Sequence, residues 1–209
     1  MLDLIDVGMG NIRSISNILC RLGVSSKIIT EPKSLSSNTI ILPGVGSALP
    51  FMKKICAQKF DSAIKNHVMN GKRIIGICLG FQVMTDFSEE DGGTECLGLI
   101  NTNTVSIHDH HLSSNHNQWE KLSLKKEDLN LSHKITPIVP SRKLVVRGRV
   151  FYNHEFGVKI PCDDKFYHRI NDKSLSSFAS IYSNRNIIGL QFHPEKSQNT
   201  GLDLLSMIL

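Results

Sequence analysis

The chain has 209 residues, of which 40% are hydrophobic and 21% charged, proportions that fit one soluble α/β domain and leave little length for a second. No run approaches the ~18 apolar residues of a membrane span, and acids in Met1-Leu2-Asp3-Leu4-Ile5-Asp6 stand where a signal peptide carries basic residues, so a transmembrane protein is excluded and a cytoplasmic one expected. The net charge of +5 comes from 24 Lys and Arg scattered among 19 acids, with only nine Phe, three Tyr and one Trp, a pattern without the basic stripe or stacking platform of a nucleic-acid-binding protein.

In chain order, residues 2–7 form an apolar-rich strand, followed by Gly8-Met9-Gly10-Asn11 and a helix over residues 12–22. Ile12, Ile15, Leu19 and Leu22 recur there at helical spacing, and Gly23 occupies the C-cap position. Strands are predicted over 27–30 and 39–42, the second stopped by Pro43-Gly44-Val45-Gly46. A helix over 61–70 closes at Gly71, and a strand over 73–77 leads through Cys78-Leu79-Gly80 into a helix reaching Phe87. This alternation predicts a mostly parallel central sheet flanked by helices.

From residue 101 to about 140 the apolar density falls and the periodicity is poor. Forty structureless residues inside a compact domain would be unusual, so the segment is read as loops and short strands on one face of the sheet. Strands return at 144–146, 150–156, 178–182 and 186–192, and a helix spans 201–209. With no internal repeat, residues 1–209 read as a single domain. The five cysteines (Cys20, Cys56, Cys78, Cys96 and Cys162) include no Cys-x-x-Cys pair, which predicts reduced thiols.

Two stretches carry chemistry. Gly76-Ile77-Cys78-Leu79-Gly80, between a strand and a helix, has the form of a nucleophile elbow with Cys as the nucleophile. The glycines permit the tight turn, a helix behind Cys78 would point its N-terminal dipole at the sulfur and favour the thiolate, and the Leu79 N–H would face a developing oxyanion. Alone, the motif fits a buried cysteine in a Gly-rich turn equally well. The second stretch decides between them. In His193-Pro194-Glu195, 115 residues beyond Cys78, proline holds His193 extended, and residues two apart in an extended chain project the same way. Glu195 can then orient the His193 ring, which is the base-and-orienter half of a Cys–His–Glu triad.

Gly-Ile-Cys-Leu-Gly together with His-Pro-Glu resembles the class I glutamine amidotransferases, which hydrolyse glutamine and hand ammonia to a synthase. Gly8-Met9-Gly10-Asn11-Ile12-Arg13-Ser14, Pro43-Gly44-Val45-Gly46 and residues 191–197 narrow the likeness to the glutaminase subunits of imidazole glycerol phosphate synthases. The resemblance implies a flavodoxin-like sheet fold with no cofactor, glutamine as substrate, and a (β/α)8-barrel cyclase subunit as partner in a heterodimer serving histidine biosynthesis. It assigns Cys78, His193 and Glu195 to catalysis and Gly44 and Val45 to an oxyanion strand whose connecting peptide must turn its N–H toward the intermediate. Gly46, Gln82 and Glu90 fall at substrate-binding positions, and Trp119 and Lys196 at the partner interface. Gln82 as a polar helix residue, and Glu90 as solvated charge within Glu89-Glu90-Asp91, are the structural alternatives.

The likeness has gaps. The family's His-Met-Gly-Trp-Asn appears here as His116-Asn117-Gln118-Trp119-Glu120, and a later His-Ser-Tyr as His154-Glu155-Phe156 after Asn153. Such divergence fits a paralogue that supplies ammonia to a cyclase-like partner amidinating a surface sugar. Other readings are a binding module that has lost catalysis and a free-standing hydrolase of γ-glutamyl compounds. His108-Asp109-His110-His111, with His116 nearby, is expected to be a solvated loop cluster rather than a metal site.

Overall fold

The computed structural model describes residues 1–108, 116–132, 135–140, 143–161 and 165–209. The first half of the chain runs β1 (Leu2–Ile5), α1 (Ile12–Arg21), β2 (Ser26–Ile29), β3 (Thr39–Gly44), α2 (Ala48–Ala57), α3 (Phe60–Met69), β4 (Arg73–Cys78) and the single turn α4 (Leu79–Gln82). There follow β5 (Thr85–Ser88), β6 (Thr94–Glu95), β7 (Ile100–Ser106), β8 (His116–Lys125), β9 (Asn130–Leu131), β10 (Val145–His154), β11 (Phe156–Val158), β12 (Tyr167–Arg169), β13 (Ala179–Arg185), β14 (Ile187–Leu190) and α5 (Gln198–Ile208).

The main sheet has the order β12-β13-β14-β4-β3-β1-β2. From β2 to β14 the pairing is parallel, while β13 and β12 extend the sheet antiparallel. Every residue of β1, β3 and β4 is buried, as expected for strands covered on both faces. Alternate side chains divide between two cores. Ile41, Ile75 and Ile77 pack with Ile15 and Leu19 of α1 and Leu204 and Leu205 of α5. Ile40, Leu42 and Ile74 pack with Phe51 and Ile55 of α2 and Phe60 and Ile64 of α3. Among the described residues no helix is long and apolar enough to cross a membrane.

Several elements depart from the sequence reading. Helix α2 was not anticipated, yet Ala48, Phe51, Met52 and Ile55 are its buried residues at helical spacing, and Pro50 is tolerated because it lies in the first turn. The helix expected to reach Phe87 stops at Gln82. Thr85 Oγ1 and Thr104 Oγ1 donate to the Gln82 carbonyl at 2.7 and 3.1 Å, and the chain turns into β5, which pairs with β7.

The middle third holds full strands rather than loops and short strands. All ten residues of β8 pair antiparallel with β10, placing His116 opposite His154 and Trp119 opposite Phe151. In β8 the residues turned fully inward are His116, Glu120 and Leu124. Two of the three are polar, so the period-two pattern is invisible to a hydrophobicity reading. The separate strands expected around residues 144–146 and 150–156 are largely one strand, β10, running through Gly148. A Cβ at Gly148 would lie 2.1 Å from Thr200 Oγ1, so the glycine lets the strand press onto α5.

Candidate active site

The C-terminal ends of β3 and β4 lie side by side, with Gly44 in register with Cys78. Cys78 has φ 53° and ψ −115°, a left-handed conformation that costs a non-glycine residue about 1–3 kcal/mol and is held by its surroundings. The flanking glycines supply that hold through close approach. A Cβ at Gly80 would sit 1.8 Å from the Leu42 carbonyl oxygen, and one at Gly76 2.4 Å from Met84 Sδ. Because α4 is a single turn, its dipole at the sulfur is smaller than the full helix of the sequence reading would provide.

His193 follows β14, and its N–H donates to the Phe151 carbonyl at 2.9 Å. Its Nδ1 lies 2.8 Å from Glu195 Oε1, and both side chains are almost wholly buried. His193 is extended, as anticipated, but the chain beyond it is not. Pro194–Lys196 is a 3-10 turn that swings Glu195 back beneath the imidazole. Burial opposes charge on His193, but hydrogen bonds to Cys78 and Glu195 outweigh it and raise its pKa to about 10. Burial likewise opposes charge on Glu195, and the His193 contact more than offsets it, so its pKa lies below the ordinary carboxylate value.

A cavity of about 120 Å³ joins most of the sequence-selected residues: Val45, Gly46, Cys78, Leu79, Gln82, Glu90, His193 and Lys196 all line it. Leu79 opens α4, where a backbone N–H has no acceptor within the helix. The Val45 N–H, by contrast, is engaged by the Met9 carbonyl at 3.0 Å. Gln82 Nε2 donates to the Phe156 carbonyl at 2.6 Å. Glu90 Oε2 accepts from the Ala48 N–H at 2.8 Å, anchoring the start of α2; burial raises its pKa, with the Ala48 bond opposing. Glu90 is therefore a half-buried capping group as well as a cavity wall. Trp119 lies outside the cavity, 5.6 Å from the Phe151 ring, and Lys196 Nζ lies 5.5 Å from that same ring. The two residues thus share one aromatic perch beside the cavity mouth.

Sequence reasoning gave no role to Asn11, and it read residues 153–156 only as a departure from a family segment that faces partner or substrate. Asn11 Nδ2 donates to Glu195 Oε1 at 3.2 Å; its only signal was its place in the Gly8–Ser14 stretch. The segment 153–156 forms one wall of the cavity, with Cys78 Sγ 3.9 Å from the Asn153 carbonyl. Of the histidine-rich cluster, Asp109, His110 and His111 lie outside the described residues, and His116 is buried against His154 and Glu120. Among the described residues no group of three or more His, Cys, Asp or Glu is arranged to hold a metal ion.

The sequence profile of the family described as glutamine amidotransferase class-I matches residues 3–206. The chain belongs to the class I glutamine amidotransferases. This amidotransferase is accordingly a glutamine-hydrolysing enzyme. It is 32% identical over 205 residues to the "Imidazole glycerol phosphate synthase subunit HisH" of Dehalococcoides mccartyi strain CBDB1, covering 98% of this chain and 94% of the relative. It is 30% identical over 214 residues to subunit HisH 1 of Legionella pneumophila strain Lens, covering 99% and 97%. Among solved structures, "Structure of PurLQS from Thermotoga maritima" matches with TM-score 0.69 at 18% identity, covering 99% of this chain and 96% of the other. That likeness agrees with the amidotransferase fold of a mostly parallel sheet between helical layers.

Proposed function

We propose that this amidotransferase is the glutaminase subunit of an imidazole glycerol phosphate synthase, hydrolysing glutamine through Cys78, His193 and Glu195 and delivering ammonia to a cyclase subunit in histidine biosynthesis. The observation that carries the chemistry is that Cys78 and His193 line one cavity together while Glu195 Oε1 holds His193 Nδ1 at 2.8 Å from behind. Near-full-length relatives named as subunits of that synthase support the pathway.

In this mechanism Cys78 Sγ bonds to the carboxamide carbon of glutamine while His193 takes the thiol proton. The tetrahedral oxyanion is met by the Leu79 N–H and, once its bond to Met9 is released, by the Val45 N–H. His193 then protonates the departing nitrogen, the C–N bond breaks, and ammonia leaves a γ-glutamyl thioester on Cys78. Water, deprotonated by His193, attacks the thioester, releases glutamate and restores the thiol. Glu195 keeps the imidazole aligned and stabilises its charged form. Gln82 offers an amide donor suited to the substrate carboxylate, and Glu90 a carboxylate suited to its ammonium. The partner, a (β/α)8 barrel, docks over Trp119 and Lys196 and triggers release of the Val45 N–H, so the isolated chain turns over slowly.

The test is glutamine hydrolysis by this chain with and without the histidine-pathway cyclase subunit of the same organism. Alkylation of Cys78 by a glutamine-like electrophile is measured in parallel. Strong stimulation, abolished by Cys78→Ala, is expected. No stimulation of a chain whose Cys78 still reacts would reject the histidine-pathway partner and point to another synthase.

A further inference from the structure

Where β10 passes the beginning of α5, two of its backbone N–H groups, two residues apart, end on side-chain hydroxyls. The Arg149 N–H donates to Thr200 Oγ1 at 3.2 Å and the Phe151 N–H to Ser197 Oγ at 3.0 Å. The two hydroxyls differ in what they do next. Ser197 is fully buried, and its hydroxyl donates onward to the His193 carbonyl at 2.6 Å. The His193 N–H in turn donates to the Phe151 carbonyl at 2.9 Å. Phe151, Ser197 and His193 thereby close a ring of three hydrogen bonds around the backbone of the residue read as the base.

The ring has a physical reason. Two residues in a hydrogen-bonded antiparallel pair exchange both N–H···O bonds directly. Here only one is direct, because His193 leads into the 3-10 turn that brings Glu195 to its imidazole. The His193 carbonyl accepts the Lys196 N–H of that turn at 3.1 Å. A hydroxyl accepts and donates at once, so Ser197 bridges the Phe151 N–H and the His193 carbonyl. The backbone of Ser197 is itself held, its N–H donating to the Pro194 carbonyl at 3.1 Å and its carbonyl accepting the Gly201 N–H at 3.1 Å. A Cβ at Gly201 would lie 1.9 Å from the Pro194 carbonyl oxygen, so α5 presses directly on the turn.

We propose that Ser197 is a positioning residue for the catalytic base, its hydroxyl locking the His193 backbone to β10 so that the imidazole faces the cavity it shares with Cys78. Ser197 lies outside the lining of that cavity, so it acts through His193. The proposal goes beyond the triad but rests on the reading of His193 as the base for Cys78. Thr200 supplies the internal comparison. Its hydroxyl also joins β10 to α5 through a backbone N–H, but the ring around His193 does not include it. A bond that served only to hold strand to helix would matter equally at both hydroxyls.

The experiment follows Cys78 alkylation by a glutamine-like electrophile as a function of its concentration, in the full chain, at a temperature where each variant is folded. Ser197→Ala removes the hydroxyl. Ser197→Thr and Ser197→Val add nearly the same bulk, and only the first keeps the hydroxyl. Thr200→Val removes the neighbouring hydroxyl and leaves the ring intact. Ser197→Ala should lower the limiting rate about tenfold, the scale of one hydrogen bond, with half-saturation within twofold. Ser197→Thr should react several times faster than Ser197→Val, and Thr200→Val should stay within twofold of native. Either Ser197 comparison decides the matter should the other variants not fold. A limiting rate in Ser197→Ala within twofold of native, or an equal loss in Thr200→Val, would overturn the proposal. So would a raised half-saturation at an unchanged limiting rate, which would assign Ser197 to the shape of the cavity. Alkylation of His193→Ala at the native rate would instead reject His193 as the base.

Discussion

Gly80→Ala tests whether close packing between α4 and β3 is what holds the reactive elbow. A methyl group at residue 80 would lie 1.8 Å from the Leu42 carbonyl oxygen and 2.8 Å from the Leu42 carbonyl carbon. Both obstacles are backbone in a buried strand, so no side-chain rotation relieves them. Reaching an ordinary 3.4 Å contact from 1.8 Å requires a separation of about 1.6 Å. Overpacking of this kind costs about 3 kcal/mol, and the better helix propensity of alanine returns about 1 kcal/mol. The net loss of about 2 kcal/mol lowers the melting temperature by about 4–8 °C in a domain of this size. The same displacement moves Gly44 away from Cys78, because a Cβ at Gly44 would meet Gly80 N at 2.6 Å. Alkylation of Cys78 by a glutamine-like electrophile should therefore slow at least tenfold at a temperature where the variant is folded. Gly71→Ala is the control: φ is +75° there but nothing lies within 4 Å of the added methyl, so it loses about 1–2 kcal/mol to backbone strain and alkylates at the native rate. A Gly80→Ala protein that melts within 1 °C of native and alkylates normally would refute the reasoning.

Other substitutions separate the remaining parts. Asn11→Ala removes the Nδ2 donor to Glu195 and should lower kcat about tenfold with little change in KM, the scale of one hydrogen bond to a charged group; an unchanged kcat would assign Asn11 to packing alone. Burial holds the His67 pKa below its ordinary value, so its stabilising contribution is present above pH ~6.5 and is lost as pH falls below that. The raised His193 pKa works the other way, stabilising below pH ~6.5 and fading as pH climbs toward about 10. Urea midpoints across pH 5–10 should show both limbs, with His67→Asn flattening the acid one and Glu195→Gln the alkaline one. Phe151→Ala removes the ring between Trp119 and Lys196 while leaving the backbone bonds from His193 N and to Ser197 Oγ, so cyclase binding should weaken at least tenfold with Cys78 alkylation of the isolated chain within twofold of native.

The legible parts of this protein are those whose physics is local. The elbow could be read because a cysteine at φ 53° between close-packed strands needs small residues two positions away on either side, and Gly76 and Gly80 spell that out. Helix α1 could be read because Ile15 and Leu19 repeat on one face and Gly23 takes the left-handed cap. Strand β8 could not, because its inward positions hold the His116 and Glu120 polar network and partners distant in sequence set its burial. The end of α4 was hidden for a similar reason: its carbonyl is claimed by Thr104 as well as Thr85, and the first of these depends on a strand eighteen residues beyond the helix. In His193-Pro194-Glu195 the extended His193 and its pairing with Glu195, two residues on, were legible, whereas the chain beyond His193 turns instead of staying extended, since proline is equally at home at the first position of a turn.

The Gly8–Asn11 loop links the two halves of the proposed machinery. Its Met9 carbonyl holds the Val45 N–H, and its Asn11 amide holds Glu195 Oε1. It also packs tightly on the oxyanion strand, since a Cβ at Gly46 would lie 3.0 Å from Met9 Cε and one at Gly10 3.2 Å from Pro43 Cγ. Under the proposed mechanism the Val45 N–H must leave Met9 to meet the oxyanion, and rotation of the Gly44–Val45 peptide accomplishes this with the loop in place. Movement of the whole loop would also free the N–H but would take Asn11 from Glu195 at the moment the imidazole needs its orienting carboxylate. Peptide rotation is thus the route that preserves the base, and the glycine at residue 44 is the residue type that makes such a rotation inexpensive.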